Sequence, residues 1–221
     1  FTKYKGYINT ASGEGYSFNK IQDPSALGLE GSCLTSDYYA YLAGIKQFSN
    51  PEAVDVNVFA TPGIDYVNNL SLVEETIEMI EEERADSLYV VTTPDKPKGA
   101  SDYEDEMYTP EDAVANLEDS NIDSNYTCTY YPWVKYLDTE NNQYINLPVT
   151  KDVVRNLAMT DNQSFAWYAP AGISRGTVDC VRAHFITKVG DEDVLYEGRI
   201  NPVKTFASDG VKIWGQKKLQ I

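Results

Sequence analysis

The sequence predicts an α/β fold with a doubly wound, mostly parallel sheet and a strand-rich C-terminal part. Helical and strand patterns alternate from about residue 35 to residue 160, and SLYVVTT at 87–93 is a short, continuous apolar run. Alternating elements with short links are typical of a parallel sheet covered by helices on both faces, and such apolar runs are typical of its buried strands. We therefore expect right-handed crossovers between the strands.

The first helix marks the start of the predicted core domain. Residues 1–34 are rich in Gly, Ser, Tyr and Asn without a sustained period, so we interpret them as a connector from an upstream region. Residues 35–221 are interpreted as the core domain. A Thr-Ser cap at 35–36 and a stop at Pro51 bound the first helix. Its apolar stripe consists of Tyr38, Tyr41, Leu42, Ile45 and Phe48.

Three strands and three further helices follow. Alternation predicts a strand at 54–60, and a capping box of Ser71 and Glu74 predicts the start of a helix with Leu70, Val73, Ile77 and Ile80 on its apolar face. After the strand at 87–93, Thr109 and Pro110 mark the start of another helix, since proline fits best at a first helical position. A third strand is predicted at 125–134 and a helix at 150–160. From about Ser164 the pattern changes to strands and loops, with one short helix at 193–198.

Charge and composition exclude several function classes. The chain has 34 Asp and Glu against 18 Lys and Arg, a net charge of -16, and this surface repels phosphate backbones, so we expect no nucleic-acid partner. No apolar run reaches the roughly 18 residues that span a membrane. Three widely spaced cysteines, Cys33, Cys128 and Cys180, match neither a disulfide framework nor a zinc site. We expect reduced thiols and synthesis in a cytosol, and we interpret the chain as part of a longer one.

Catalytic and metal sites are not predicted. The best metal candidate is an acidic loop with Asp95, Asp102, Glu104, Asp105 and Glu106. Lysines lie among these carboxylates and no histidine does, so a solvated loop is favoured over a cation site. The single histidine, His184, lies in an apolar run, so a Ser-His-Asp site is not indicated. We interpret His184 as structural, and we expect no cofactor.

Four phrases in order resemble the sheath proteins of contractile phage tails. They are INLPVTKDVVRNLAMTDN at 145–162, APAGISRG at 169–176, LYEGRINPV at 195–203 and SDGVKIWGQKKL at 208–219. The resemblance covers about residues 29–219. Met159 stands where that family commonly has Arg, Lys218 replaces the usual Thr, and the protruding insertion of T-even sheaths is absent. The resemblance implies a subtilisin-like α/β core that lacks the protease machinery, and hence no enzyme.

The resemblance also implies a mechanical function. A sheath subunit polymerises in stacked rings around an inner tube and contracts to drive that tube through the host envelope for genome delivery. The implied partners are other copies of the chain, the tail tube protein, and the baseplate and tail terminator proteins. The implied location is the virion, after assembly in the host cytoplasm. In this family, terminal arms add strands to neighbouring subunits, so we expect these 221 residues to fold without polymerising.

Two surfaces are candidates for subunit contacts. The first is a structural or interface loop that includes Pro170, Gly172, Arg175 and Gly176, together with Asn201 and Pro202. Proline fixes φ there, and glycine allows conformations closed to other residues. Arg175 is expected either to pair with an acidic face of a neighbour or to bond internal carbonyls. The second is the acidic helix face of Glu74, Glu75, Glu78 and Glu82, which is either solvated or docked on a neighbour's basic patch.

Other functions stay open at this stage. The sheath of a related contractile machine, an R-type bacteriocin or an extracellular injection system, is compatible with the same motifs. From other classes, the alternatives are a subtilisin-like hydrolase and a ligand-binding α/β module that uses the loops after Ala60 and Thr93. The host, the number of subunits per ring, the trigger and the pairing of charged faces are not determined by this sequence.

Overall fold

Helices and strands alternate along most of the chain. The computed structural model describes residues 33–97, 107–165 and 167–221. The elements are α1 Cys33–Lys46, β1 Val58–Asp65, α2 Leu70–Glu78, β2 Leu88–Thr92, α3 Pro110–Ser120, β3 Thr127–Tyr131, β4 Val134–Asp138, β5 Gln143–Leu147, α4 Thr150–Gln163, β6 Arg182–Ala183, α5 Val189–Glu197, β7 Asn201–Phe206 and β8 Gly210–Ile213. A π-helical segment, Met79–Arg84, continues α2. The predicted connector lies outside the described residues, apart from its last two, which begin α1.

A five-stranded sheet organises these elements. Its order is β1-β2-β3-β7-β8, with the first four strands parallel and β8 antiparallel to β7. The predicted mixed α/β fold with a mostly parallel sheet is therefore confirmed. The strand order runs in one direction through the described residues, whereas a doubly wound sheet reverses its order at a switch point.

Both faces of this sheet are buried, and adjacent side chains of one strand belong to different cores. Tyr89 and Val91 of β2 pack with α2 and α3 in a first apolar cluster. Val90, between them, packs in a second cluster with α4 and β4. Side chains alternate across a strand, so this arrangement accounts for the unbroken apolar run in the sequence. Each fully buried aliphatic side chain contributes about 1.5–3 kcal/mol.

A second, three-stranded sheet was not predicted. Its order is β5-β4-β6, and its strands are antiparallel. The predicted strand at 125–134 is two strands, β3 and the start of β4, with a cis bond between Tyr131 and Pro132. In the β4–β5 turn, the Asp138 carboxylate accepts from the backbone N–H groups of Glu140 and Asn141 at 3.0 and 3.3 Å.

Of the three predicted helix caps, only the one at Thr109 matches the start of its helix. The predicted Thr109 cap of α3, with Pro110 at the first helical position, is confirmed. The structure adds a capping box, since the Thr109 hydroxyl accepts from the Asp112 N–H at 3.2 Å and the Asp112 carboxylate accepts from the Thr109 N–H at 3.0 Å. The predicted box at Ser71 does not form, because α2 begins at Leu70 with Asn69 as its cap residue. The Ser71 hydroxyl instead pairs with the Tyr38 hydroxyl of α1 at 2.8 Å.

Three element boundaries also differ from the prediction. The first strand spans 58–65 rather than 54–60, because the carbonyls of Val54 and Val56 accept from the Arg84 side chain instead of a neighbouring strand. Helix α1 begins two residues before the predicted cap at Thr35. Helix α5 spans 189–197 rather than 193–198.

Candidate functional site

The histidine interpreted as structural, His184, contacts a neighbouring side chain through each ring nitrogen. It is buried, with its Nδ1 3.1 Å from the Asp95 carboxylate and its Nε2 3.3 Å from the Asn146 side-chain nitrogen. A neutral ring satisfies both contacts when Nδ1–H donates to Asp95 and Nε2 accepts from Asn146. In a Ser-His-Asp site the second ring nitrogen accepts from the nucleophile. Here an amide takes that position.

The acidic loop lies only partly within the described residues. Asp95 belongs to the His184 pair, while Asp102, Glu104, Asp105 and Glu106 lie outside the described residues. Across residues 33–97, 107–165 and 167–221, no group of three or more His, Cys, Asp or Glu side chains is placed to hold a metal ion.

The proposed ligand loops at the carboxyl ends of the strands are occupied by the protein's own contacts. Ala60 is inside β1 rather than before a loop, and the Asp65 carboxylate at its end accepts from the N–H groups of Val67 and Asn68 at 2.9 and 2.7 Å. The Thr93 hydroxyl donates to the Tyr130 carbonyl at 2.8 Å. These polar groups therefore stabilise the sheet edge itself.

The described thiols are poor nucleophiles. Burial raises the pKa of the Cys128 thiol to about 12, and burial with the nearby Asp152 carboxylate raises the pKa of the Cys180 thiol to about 12. Both are free cysteines. Because the thiolate is the reactive form, neither is suited to nucleophilic chemistry near neutral pH.

The helices of residues 33–97, 107–165 and 167–221 include no candidate membrane span, since none combines the necessary length with the necessary apolar character.

The Pro-Gly loop at 167–178 closes the outer edge of β8. The Gly172 N–H donates to the Ile213 carbonyl at 2.8 Å, and the Ile213 N–H donates back to the Gly176 carbonyl at 2.7 Å. Gly172 has a φ of 91°, in the left-handed region that favours glycine. At Gly176, a Cβ would collide with the backbone carbonyl of Ile213. Both glycines, together with the buried Pro170, thus serve the fold.

Arg175 is the exposed cation of this loop. Its guanidinium lies 4.7 Å from the centre of the Tyr168 ring, a cation–π contact worth about 0.5–1 kcal/mol at an exposed position. The sequence predicts that the Arg175 guanidinium bonds either an internal carbonyl or a neighbour's carboxylate. The structure shows its contact with an aromatic ring. In this arrangement the outward N–H groups of the guanidinium can still donate hydrogen bonds.

Asn201 and Pro202 are interior residues at the start of β7. The Asn201 side chain donates to the carbonyls of Thr129 and Lys217 at 3.0 and 2.8 Å and accepts from the Lys217 N–H. The Pro202 carbonyl accepts from Trp214 at 2.9 Å. Both residues belong to β7, which β8 follows.

The acidic face of α2 borders an open groove. Glu74, Glu78 and Glu82 are exposed, while Glu75 pairs with Lys46 at 3.4 Å. The groove has a volume of about 600 Å³ and lies between α2 and the loop after α3; its walls include Glu74, Glu78, Glu81, Glu82, Ile77 and Ile122. Local sequence patterns do not predict this groove, because its two sides, 74–82 and 120–123, are far apart in the sequence.

An exposed aromatic cluster precedes the Pro-Gly loop. The rings of Phe165 and Trp167 stack with centroids 4.5 Å apart, and Tyr168 packs against both. Trp167 is 76% exposed and Phe165 is 52% exposed. The sequence shows these aromatics side by side, but periodicity cannot reveal that they face solvent, because the segment is not a regular element.

Two curated proteins are similar to the chain in sequence, although no protein-family model matches it. The tail sheath protein of Enterobacteria phage T4 is 27% identical over 184 residues, which are 77% of this chain and 27% of that protein. The tail sheath protein of Vibrio phage KVP40 is 36% identical over 104 residues, 43% of this chain and 13% of that protein. The chain thus spans well under half the length of these relatives.

Solved structures show the same fold. The helical sheath of the anti-feeding prophage in its contracted state matches with a TM-score of 0.57 and 15% identity, over 93% of this chain and 46% of that one. A chain of the anti-feeding prophage baseplate matches with a TM-score of 0.55 and 16% identity, over 83% of this chain and 43% of that one.

Proposed function

We propose that this chain, a relative of the tail sheath proteins of contractile phages, is the core of a sheath subunit in a helical array. The observation that carries the proposal is the sequence match to the T4 sheath protein along 77% of the chain. The fold likeness to the anti-feeding prophage sheath extends over 93% of it. Sequence and fold therefore point to the same class of protein.

The subunit acts mechanically in this proposal. It polymerises around an inner tube, and contraction drives that tube through the host envelope for genome delivery. Its partners are other copies, the tail tube, the baseplate and the tail terminator, and its location is the virion after assembly in the host cytoplasm. A sheet buried on both faces supports a rigid unit, since close-packed interiors resist deformation. Contraction then changes the contacts between subunits.

The central sheet is, on this proposal, a subtilisin-like core without catalysis. Helices on both faces of a mostly parallel sheet support it. The Asn146 amide on His184 Nε2 is in keeping with a protein that carries no hydrolase activity. A hydrolase assay with a fluorogenic peptide tests this point, and turnover that a His184→Ala substitution abolishes would refute it.

The Pro-Gly loop and the acidic face of α2 are the proposed contact surfaces. Arg175 is the exposed cation of the loop, and Glu74, Glu78 and Glu82 are exposed on the helix. Pro170, Gly172, Gly176, Asn201 and Pro202 hold the loop and β7 in shape behind this surface.

Electron microscopy tests the proposed function. A sheath-length subunit that contains this sequence is expected to form helical tubes, and the 221 residues alone are expected to stay as separate particles. Tyr144→Ala, which changes an exposed side chain outside both surfaces, is the control and should form the same tubes as the parent subunit. A sheath-length subunit that stays monomeric over a range of salt concentrations would contradict the proposal.

The fold likeness to the anti-feeding prophage sheath favours a second candidate of the same class. This is the sheath of an R-type bacteriocin or an extracellular injection system, in which no genome is delivered. Nuclease-protected DNA in purified particles distinguishes the two, because only the phage particle is expected to contain it.

A further inference from the structure

The aromatic surface, defined as Phe165, Trp167, Tyr168 and Arg175, has the composition of a contact centre. Three packed rings and a guanidinium lie together, and Trp, Tyr and Arg are the residues most enriched in binding hot spots. Ile173 in the same loop is 55% exposed. The backbone bonds of Gly172 and Gly176 to β8 hold this surface in place, so little ordering is required on binding.

The acidic groove, defined by Glu74, Glu78, Glu81, Glu82, Ile77 and Ile122, has the complementary composition. Ile122 is buried and Ile77 is half-buried, so apolar lining lies among the carboxylates. An occupant that matches it is apolar at its centre and carries a positive charge beside the apolar part. The aromatic surface of the same chain meets both requirements.

The two surfaces lie on opposite faces of the central sheet. The groove is formed by α2 and the loop after α3, which belong to the first apolar cluster. The aromatic surface follows α4, whose Val153 belongs to the second cluster. One copy can therefore use its aromatic surface on one neighbour and its groove on another. A contact of this kind is heterologous and propagates into a ring or a helix.

We propose that the aromatic surface of one copy of this chain docks in the acidic groove of the next copy, with Trp167 against Ile77 and Arg175 among the glutamates. The inference rests on the proposed function, because it names one contact of that array. Two chains of net charge -16 repel each other, so a local match of opposite charges directs the approach and fixes the register.

Charge reversal in two separate copies tests the contact. Arg175→Glu and Glu78→Arg each place like charges across it, so each variant alone is expected to lose self-association by about tenfold or more. In an equimolar mixture, either copy presents a complementary surface to the other, and association is expected to return. Glu140→Arg in the exposed β4–β5 turn is the matched control and should associate as the parent chain does. Sedimentation velocity of sheath-length subunits that contain this sequence, over a concentration series, compares the two variants, their mixture, the control and the parent.

Trp167→Ala is a second variant that does not depend on charge. It is expected to weaken self-association by about tenfold or more, whereas Tyr144→Ala, at a tyrosine that is 63% exposed on β5, is expected to leave it unchanged. A mixture that fails to recover, or a Trp167 variant that associates like its control, overturns the proposed contact. Sheath-length subunits with Trp167→Ala that form tubes as the parent does would leave the sheath function intact and reject this contact. Recovered association without tubes would reject the sheath function instead.

Discussion

At the scale of single residues, the interior polar side chains hold segments that are far apart in sequence. The Asn201 amide bonds β3 through the Thr129 carbonyl and the C-terminal segment through both the N–H and the carbonyl of Lys217. The side chain is fully buried, so each partner depends on it. A buried polar group left without a partner costs about 1–3 kcal/mol.

Asn201→Ala is therefore expected to lower the free energy of unfolding by about 2–4 kcal/mol. The substitution removes two N–H donors and one oxygen acceptor that bond the Thr129 carbonyl and the Lys217 backbone. Urea unfolding followed by far-ultraviolet circular dichroism measures the change. Asn141→Ala, in an exposed turn, is the control and should cost less than about 1 kcal/mol. Equal losses in the two variants would show that Asn201 does not link the segments.

Gly176→Ala tests whether the Pro-Gly loop is shaped by its fit to β8. A Cβ at this position would meet the Ile213 carbonyl and would lie 2.8 Å from the Gly172 carbonyl oxygen, so the loop must move away. We expect a loss of about 1–3 kcal/mol. Gly190→Ala, where no atom lies within 4 Å of the added group, is expected to be neutral or stabilising by up to about 1 kcal/mol. Thermal unfolding of both variants decides this.

At the scale of elements, a buried arginine sets where the first strand begins. The Arg84 guanidinium donates to the carbonyls of Phe48, Val54 and Val56 at 2.6, 3.0 and 3.3 Å. It also pairs with Asp86 at 2.9 Å, and its side chain is 1% exposed. The segment between α1 and β1 is thus fixed by a side chain about thirty residues later in the chain.

Arg84→Lys is expected to cost about 2–4 kcal/mol of unfolding free energy, although the charge is kept. One ammonium cannot reach the three carbonyls and the carboxylate that the planar guanidinium bonds. Arg155→Lys is the matched control, since that side chain is 43% exposed, and its loss should stay below about 1 kcal/mol. Chemical unfolding compares them, and a harmless Arg84→Lys would mean that the segment is held by its apolar contacts.

The same arginine shows which elements are predictable from sequence. Local patterns predict β2 and the Thr109 cap of α3 correctly, because apolar runs and caps are decided by neighbouring residues. The alternating run at 54–60 was misplaced, since its first carbonyls are bonded by Arg84, and no local pattern records that contact. Likewise, Ser71 has the spacing of a cap but pairs with Tyr38, which comes from another helix.

At the scale of the whole molecule, the candidate contact surfaces were predicted only in part. The acidic face of α2 and the exposed Arg175 follow from the sequence, because charged residues at helical spacing and a Pro-Gly loop are local features. The groove requires the loop after α3 beside α2, and the aromatic surface requires rings that point outward. Both depend on the tertiary arrangement, which local spacing does not determine.

The arrangement of two cores around one sheet predicts an order of local stability. β2 and β3 are bonded to a strand on each side and buried on both faces. β5 lies at the edge of the smaller sheet, with its side chains at Gln143 and Tyr144 exposed.

Amide hydrogen exchange of the 221-residue chain measures this order. Opening of β2 requires loss of both cores, whereas β5 can separate from β4 while the central sheet stays intact. We expect amides of 88–92 and 127–131 to exchange only with global unfolding, and amides of 143–147 to open at a cost lower by about 3 kcal/mol or more. An unfolded reference corrects for the intrinsic rates of each peptide. If the β5 amides are as protected as those of β2, the smaller sheet unfolds together with the central sheet, and the chain moves as one cooperative unit.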